Sequence, residues 1–461
     1  MNVYPGTKSR RIDSWKDIAA YLGRDVRTVI RWEKDRGLPV HRDNSAPGRP
    51  TVYADAEELD RWLMGHSAEA EDLPNPVSDL PTAPPGRSWR RLSWVMAACC
   101  IVAALLVGAL LSGAKAGRHL RFVRSDFPAY GPMSVGVADF DHDGNVDIAF
   151  TNSAADTVDI LFGDGHGGFP RRASISNPAQ PERLAIADFN KDGNPDLAVT
   201  HRGSRDLIVL LGDGRGAFRE SFHWDTSGRS RWVTAADLNA DGILDLVVAC
   251  SLAQKVAVLL GRGDGTFDRV REYGTDGEPS AAVVGDFTND KIPDIVVTDY
   301  QVSGGKTISL YAGHGDGTFE ERRPFPTGPG PLAPAVADFN HDGLADVVTA
   351  DFRSGFSMLL SNGGGFSPPL SVRVDSAPGF VAPADFDLDG HMDVLLVAEH
   401  SNDAHLFYGN GRGGFPSKQV FSTAAYPDSI AIADFDKDGR PDFALGATYG
   451  NLISVYLNRA R

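Results

Sequence analysis

Along the C-terminal three quarters of the chain, short apolar runs are separated by polar, glycine-rich breaks. Ser134-Val-Gly-Val-Ala-Asp-Phe140 alternates with the period of two that turns one face of a strand inward, and Asp245-Leu-Val-Val-Ala249 is a continuous β-branched run suited to a strand covered on both faces. A third run, Asp206-Leu-Ile-Val-Leu-Leu211, ends in a glycine turn closed by an aromatic, Gly212-Asp-Gly-Arg-Gly-Ala-Phe218. Related turns begin at Gly163, Gly261, Gly313, Asn362 and Gly409. A fourth strand then leads to the next alternation. Four strands per unit with this punctuation predict the blade of a β-propeller.

Between the first and second strand of each unit lies the pattern D-x-[DN]-x-D-G-x-x-D. It begins at Asp139 and again at Asp188, Asp237, Asp286, Asp338, Asp385 and Asp434, at intervals of 49, 49, 49, 52, 47 and 49 residues. A nearly fixed period of this length marks a repeat array whose units bury their faces against one another, so the seven units predict one all-β, seven-bladed domain over 119–461. Closure is legible at the ends. The seventh unit stops after its third strand, Leu452-Ile-Ser-Val-Tyr-Leu-Asn458, while a fourth-strand-like segment, His119-Leu-Arg-Phe-Val-Arg-Ser-Asp-Phe127, precedes the first loop. The N-terminal piece is expected to complete the last blade and leave no open sheet edge.

The loops carry the candidate chemistry. Carboxylates at positions 1, 3, 5 and 9 around a glycine at 6 bring hard oxygens onto one point, the donor set that suits Ca²⁺. In the first loop Asp139, Asp141, Asp143 and Asp147 offer side chains and Asn145 a backbone carbonyl; the second places Asp188, Asn190, Asp192, Asn194 and Asp196 alike. The third has Asp237, Asn239, Asp241, Ile243 and Asp245, the fifth Asp338, Asn340, Asp342, Leu344 and Asp346. The sixth has Asp385, Asp387, Asp389, His391 and Asp393, the seventh Asp434, Asp436, Asp438, Arg440 and Asp442. The fourth keeps Asp286, Asp290 and Asp294 but has Thr288 at position 3 and Lys291 in place of the glycine, which predicts a weak or empty site. About six or seven structural Ca²⁺ ions are expected, stabilising the ring by binding only the folded loops.

These units resemble the FG-GAP/VCBS repeats of bacterial surface and secreted proteins, related in pattern to the integrin α-subunit propeller. The resemblance covers about three quarters of the chain and implies calcium in the aspartate loops.

Residues 1–66 read as a compact, mainly helical unit. Ser14 is placed to cap a helix through Trp15, Ile18, Ala19 and Leu22, with Asp17 three residues on. Asp25 opens a second helix, Val26 to Asp35, with Val29, Ile30 and Trp32 inward and Arg27, Thr28, Arg31 and Lys34 outward. A hairpin wing is expected from Leu38-Pro-Val-His-Arg42 and Thr51-Val-Tyr53, followed by a third helix holding Leu59, Trp62 and Leu63. The segments Trp15-Lys-Asp-Ile-Ala-Ala-Tyr-Leu-Gly23, Arg27-Thr-Val-Ile-Arg-Trp-Glu33 and Gly37-Leu-Pro-Val-His-Arg42 resemble the MerR/excisionase class of winged helix-turn-helix domains. That resemblance implies DNA contacts from the second helix and the wing, at Arg24, Arg27, Thr28, Arg31, Lys34, Arg42 and Arg49.

A proline-rich linker follows at 67–91 and then the uncharged run 92–114, long enough at about 1.5 Å per residue to cross a hydrocarbon core. Flanking charges are balanced, so orientation is argued from chemistry: DNA is cytoplasmic, and low-affinity calcium modules suit an outer compartment. The expected localisation is a single-pass membrane protein with a cytoplasmic N-terminus and a periplasmic or extracellular propeller. Ala104, Gly108 and Ser112 form a small-residue stripe compatible with a homodimer.

Charge follows the same division, with a balance of +5 over 7–49 and −17 over 94–461 within a total of −16. Of the 3 cysteines only Cys250 lies in the propeller, which excludes an internal disulfide there. There is no nucleophile–base set and no phosphate loop, so an enzyme is not expected. The favoured reading is a membrane-anchored one-component transcriptional regulator whose propeller binds a ligand or partner. The alternative is an anchored adhesion or scaffold protein whose propeller binds protein or glycan and whose N-terminal module binds protein.

Overall fold

A computed structural model describes residues 11–22, 29–30, 32–34, 37–43, 51–56, 58–59, 62, 119–177, 179–226, 228–300 and 305–459. The linker, the predicted span at 92–114 and the proposed DNA contacts Arg24, Arg27, Thr28, Arg31 and Arg49 lie outside the described residues. Among the described residues no helix is long and apolar enough to cross a membrane. The chain divides into two compact units, Met1–Val102 and Ala103–Arg461.

In the first unit, α1 (Trp15–Tyr21) begins where expected. The Ser14 hydroxyl donates to Asp17 Oδ2 at 2.6 Å and accepts the Asp17 N–H at 3.3 Å, which satisfies a donor that a helix start leaves orphaned. The expected wing is present as antiparallel His41–Asp43 and Thr51–Asp55. A third strand, Arg11–Asp13, pairs on the other side of Thr51–Asp55 and makes a three-stranded sheet, where the sequence reading had only a hairpin. Ile12, Ile18, Val29, Trp32, Leu38, Ala54 and Leu59 are buried together, so Val29 and Trp32 face inward as their spacing predicts.

The second unit is a ring of seven four-stranded antiparallel sheets. Blade 1 runs from its innermost strand Pro132–Ala138 through Asp147–Asn152 and Thr157–Phe162 to the outer Arg171–Ser176. Blades 2 to 6 occupy 181–225, 230–274, 278–326, 331–373 and 378–422. Blade 7 takes Pro427–Ala433, Asp442–Ala447 and Leu452–Asn458 and is completed by Phe122–Pro128. The closing register sets Phe122 against Asn458 and Pro128 against Leu452. First strands of successive blades touch around the whole circle, blade 7 returning to blade 1.

The composition of each strand follows from its place. Second strands are buried at every residue but Tyr300, the last of blade 4's, because each is covered on both faces by neighbouring blades, and this is why they read as unbroken apolar runs. Outer strands alternate between half-buried and exposed. The core is accordingly seven hydrophobic clusters, each straddling one blade interface, rather than a single centre. At the seam, for example, Ile148 and Phe150 of blade 1 pack with Ile453, Val455 and Leu457 of blade 7. Phe122 of the closing strand reaches Phe443, Phe421 and Phe386, and so ties blade 7 to blade 6.

Each innermost strand ends at its aspartate loop. The loops therefore share one face of the ring, and the starts of the innermost strands share the other. Phe122 and Asn458 both lie at the loop face, since the Asn458 N–H reaches Asp442 Oδ1 at 2.6 Å.

Candidate metal loops and a central cavity

The ninth aspartate of each loop is wholly or almost wholly buried and accepts two backbone N–H groups. In blade 1 Asp147 Oδ2 takes the Phe140 N–H and Oδ1 the Gly163 N–H, each at 2.8 Å. Asp196, Asp245, Asp294, Asp346, Asp393 and Asp442 repeat this in their own blades. Each latches its aspartate loop to the end of the third strand. Burial pushes these carboxyls up, to about 6 at Asp147, Asp196, Asp245, Asp346 and Asp442 and about 7 at Asp393, against the lowering effect of the two donors.

The rest of the loop is a set of tight turns. Asp139 Oδ2 accepts the Gly144 N–H at 2.9 Å, and Asp143 Oδ1 accepts the Asn145 N–H at 2.8 Å. The residues at position 7, expected to lend carbonyls, donate their N–H groups to position 5 in the same way: Asn194 to Asp192, Ile243 to Asp241, Leu344 to Asp342, His391 to Asp389 and Arg440 to Asp438. The fourth loop keeps this path despite its substitutions, since Lys291 adopts φ 68° and its N–H still reaches Asp286 Oδ2 at 2.9 Å. Asp290 Oδ1 accepts the Ile292 N–H at 2.8 Å.

Three carboxylates come within 4.8 Å of one another in loops 1, 6 and 7: Asp139, Asp141 and Asp147; Asp385, Asp387 and Asp393; Asp434, Asp436 and Asp442. These are the loops with aspartate at position 3. Where asparagine stands there, its Nδ2 instead donates to the fifth-position carboxylate, as Asn190 does to Asp192, Asn239 to Asp241 and Asn340 to Asp342. The fifth-position acids Asp143, Asp389 and Asp438 stand outside the three groups. A cation fits these loops: the Oδ1 atoms of Asp139, Asp338 and Asp436 are buried and accept no hydrogen bond, which is the deficit that a hard cation removes. Guanidinium groups also approach two of the groups, Arg171 at Asp141 and Arg459 at Asp436.

In three blades the glycine turn closes over the aspartate loop of the preceding blade. Gly167 N–H bonds to Phe435 O, Gly265 N–H to Phe189 O and Gly413 N–H to Phe339 O. Turn and loop aromatics meet at the same interfaces, as in Phe140 with Phe218 and Phe189 with Phe267. At Gly167, with φ 83°, a Cβ would lie 2.4 Å from Leu457, so only glycine allows this approach.

At the opposite face lies a cavity of about 720 Å³. Four arginines line one side, Arg183 and Arg202 from blade 2 and Arg229 and Arg231 from blade 3. Arg229 forks onto Glu182. Arg183 binds Asp428 Oδ1 at 3.1 Å and lies over the rings of Trp232 and Phe380. Those two rings, from blades 3 and 6, stack on each other at 5.7 Å. The other side is aromatic: Phe352, His400, Tyr426 and Tyr449 follow one another at centroid distances of 5.5, 5.9 and 4.5 Å. None of these residues was singled out from the sequence. Superposing the repeats on their aspartate loops would have pointed to Glu182, Arg231 and Asp428 alone, since the position six residues before each loop reads Met133, Glu182, Arg231, Ser280, Leu332, Gly379 and Asp428.

Of the proposed DNA contacts, two lie among the described residues. Lys34 is exposed, and Arg42 pairs with Glu33 at 2.7 Å, which binds the wing to the second helix.

The model for the FG-GAP-like repeat matches at 139–199, 188–248, 237–297, 298–349, 341–396 and 385–445, well over half of the 461 residues. The chain belongs to the FG-GAP-like repeat family. No curated protein sequence matches it. The FG-GAP-like ring is similar to solved propellers at low identity, and these likenesses bear on the fold alone. BBS1N, solved in complex with ARL6DN, is 11% identical with a TM-score of 0.53, over 74% of this chain and 96% of that one. Virginiamycin B lyase from Staphylococcus aureus, a catalytically inactive variant with quinupristin, is 15% identical with a TM-score of 0.51, over 74% and 100%. Chaetomium thermophilum Raptor is 11% identical with a TM-score of 0.52, over 74% and 29%.

Proposed function

We propose that the FG-GAP-like propeller is a calcium-stabilised binding module that recognises its ligand at the cavity face, and that the chain as a whole is a membrane-anchored one-component transcriptional regulator. The observation that carries the binding reading is the cavity, a recess with convergent charged and aromatic walls on an otherwise repetitive ring. Binding rather than catalysis is its role. Calcium occupies loops 1, 6 and 7 first, loops 2, 3 and 5 more weakly for want of one charge, and loop 4 least.

The regulator reading draws on the capped first helix, the inward Val29 and Trp32 of the second, and the hairpin wing, an arrangement suited to placing the second helix in a major groove. Span 92–114 carries the signal from an outer propeller to cytoplasmic DNA-binding domains, paired as a homodimer. Crosslinking of the full-length protein to DNA in its host, followed by sequencing, tests this. Discrete sites lost in Arg27→Ala/Arg31→Ala support it, and an absence of enrichment with the protein expressed overturns it. The second reading, an anchored adhesion or scaffold protein, is favoured by one contact: Glu33 already engages Arg42, one of the residues assigned to DNA.

A further inference from the structure

The cavity face carries a charge arrangement at odds with the propeller around it. The unit is strongly acidic, yet the recess gathers four arginines against three carboxylates, Glu182, Glu399 and Asp428. Two arginines are spent within the protein, Arg229 on Glu182 and Arg183 on Asp428. Arg202 is exposed at the rim and forms no ion pair among the described residues. Arg231 sits deeper, and among the described residues it has neither an ion pair nor a side-chain hydrogen bond; its one partner is the Tyr300 ring, 5.6 Å from the guanidinium carbon. Burial and the neighbouring Arg229 push its proton affinity below the ordinary arginine value, against the opposing effect of Glu182 and Asp428, each of which is already paired with another arginine. Glu399, the third carboxylate of the lining, is pushed up to about 7 by burial and the neighbouring Asp428.

Opposite these cations the lining has Phe352, Tyr426 and Tyr449, with Tyr449 71% exposed and Tyr130 60% exposed at the same end of the ring. A planar fork of donors matches a carboxylate, whereas aromatic faces match the C–H face of a pyranose ring. The volume is that of a small-molecule site rather than of a protein interface.

We propose that the cavity binds a carboxylate-bearing sugar, with the acid group on Arg231 and the ring against Tyr426 and Tyr449. This rests on the binding reading above and names the ligand class at the same face. A carboxylate there meets the inner of the two lining arginines that have no ion pair among the described residues, and Arg202 serves the next acidic residue of a longer chain.

The test is calorimetric titration of the full-length protein, in detergent and calcium, with galacturonate, glucuronate, N-acetylneuraminate and trigalacturonate, against neutral trigalactoside and hexaglutamate. At least one acidic sugar is expected to bind about tenfold or more tightly than its neutral counterpart. Arg231→Ala should lose that preference, Arg231→Lys should recover part of it, and Tyr449→Ala should weaken acidic and neutral sugars alike. Thermal melting separates a binding defect from misfolding of Arg231→Ala, and Tyr449→Ala at the exposed rim supplies an independent readout. No binding by any acidic sugar, equal binding of neutral trigalactoside, or tighter binding of hexaglutamate overturns the proposal, the last in favour of an acidic protein segment. Because DNA crosslinking is measured separately, loss of the regulator reading leaves this result standing, and the reverse also holds.

Discussion

The two faces of the ring use the same blades in opposite ways. At the loop face the ninth position is aspartate in all seven units, and in all seven it accepts the same pair of backbone N–H groups. At the cavity face the position six residues before each loop is Met133, Glu182, Arg231, Ser280, Leu332, Gly379 and Asp428, different every time. Repetition marks a problem that every blade shares, which is closing buried backbone donors at a tight turn. Variation marks a problem that the ring solves once, in its centre, where Met133, Glu182, Arg231, Leu332 and Asp428 line one cavity and only their combination matters.

If that contrast is sound, the largest loss comes from breaking a latch. Asp245→Ala strands the buried Leu238 and Gly261 N–H groups and should lower stability by about 2–6 kcal/mol, whereas Asp245→Asn, which retains one acceptor, should lower it less. Thermal or urea melting distinguishes the two, and equal losses would mean that the second donor is not held in solution. Calcium removal comes next. At a hundredfold excess over its dissociation constant each occupied site adds about 2.7 kcal/mol, so chelation should lower the melting temperature markedly. Titration should resolve stronger and weaker classes of site, and Asp141→Asn should move loop 1 into the weaker class. A melting curve indifferent to chelator would remove the ion from the account.

A smaller effect is expected from pH. Burial raises Asp351 from 3.8 to about 7, although Ser357 and Thr349 donate to it, and Glu399 also lies near 7. The folded state holds these protons more tightly than the unfolded state does. Their contribution is therefore fully favourable below about pH 4, declines as the pH rises towards 7, and is level beyond. With calcium saturating the loops, wild type should lose stability across that window and Asp351→Asn should lose less; parallel curves would assign the slope to other groups. The smallest change belongs to the cavity rim, where Tyr449→Ala should shift stability by no more than about 0.5 kcal/mol while altering sugar binding.

What was legible in the sequence divides along the same line. Blade number, strand order and the closing strand could be read because each rests on a pattern repeated seven times, and the depth of the second strands showed as runs such as Asp245-Leu-Val-Val-Ala249. The latch role of Asp147 and its equivalents was hidden inside a ligand motif, since aspartate at position 9 serves a backbone donor and a cation equally well. The cavity was harder to see: Arg231 and Asp428 share only their place six residues before a loop, with no common residue type to mark it, and only the curvature of the ring brings them together. In the N-terminal unit, Arg11–Asp13 is three residues long with a single apolar side chain, too little for a strand signal, and it pairs only because Thr51–Asp55 offers an edge.

The closing strand sets an order in time. Asp126 meets Ser454 across a separation of 328 residues, so the first strand of the propeller to leave the ribosome is the last to find its partner. Until then the growing chain carries an unpaired edge at each end, a state open to pairing with other chains. Completion of the C-terminal strand removes both edges in one event. A prematurely ended chain has no such event, and it should appear in cells as aggregate or as a substrate for proteases rather than as a shorter propeller.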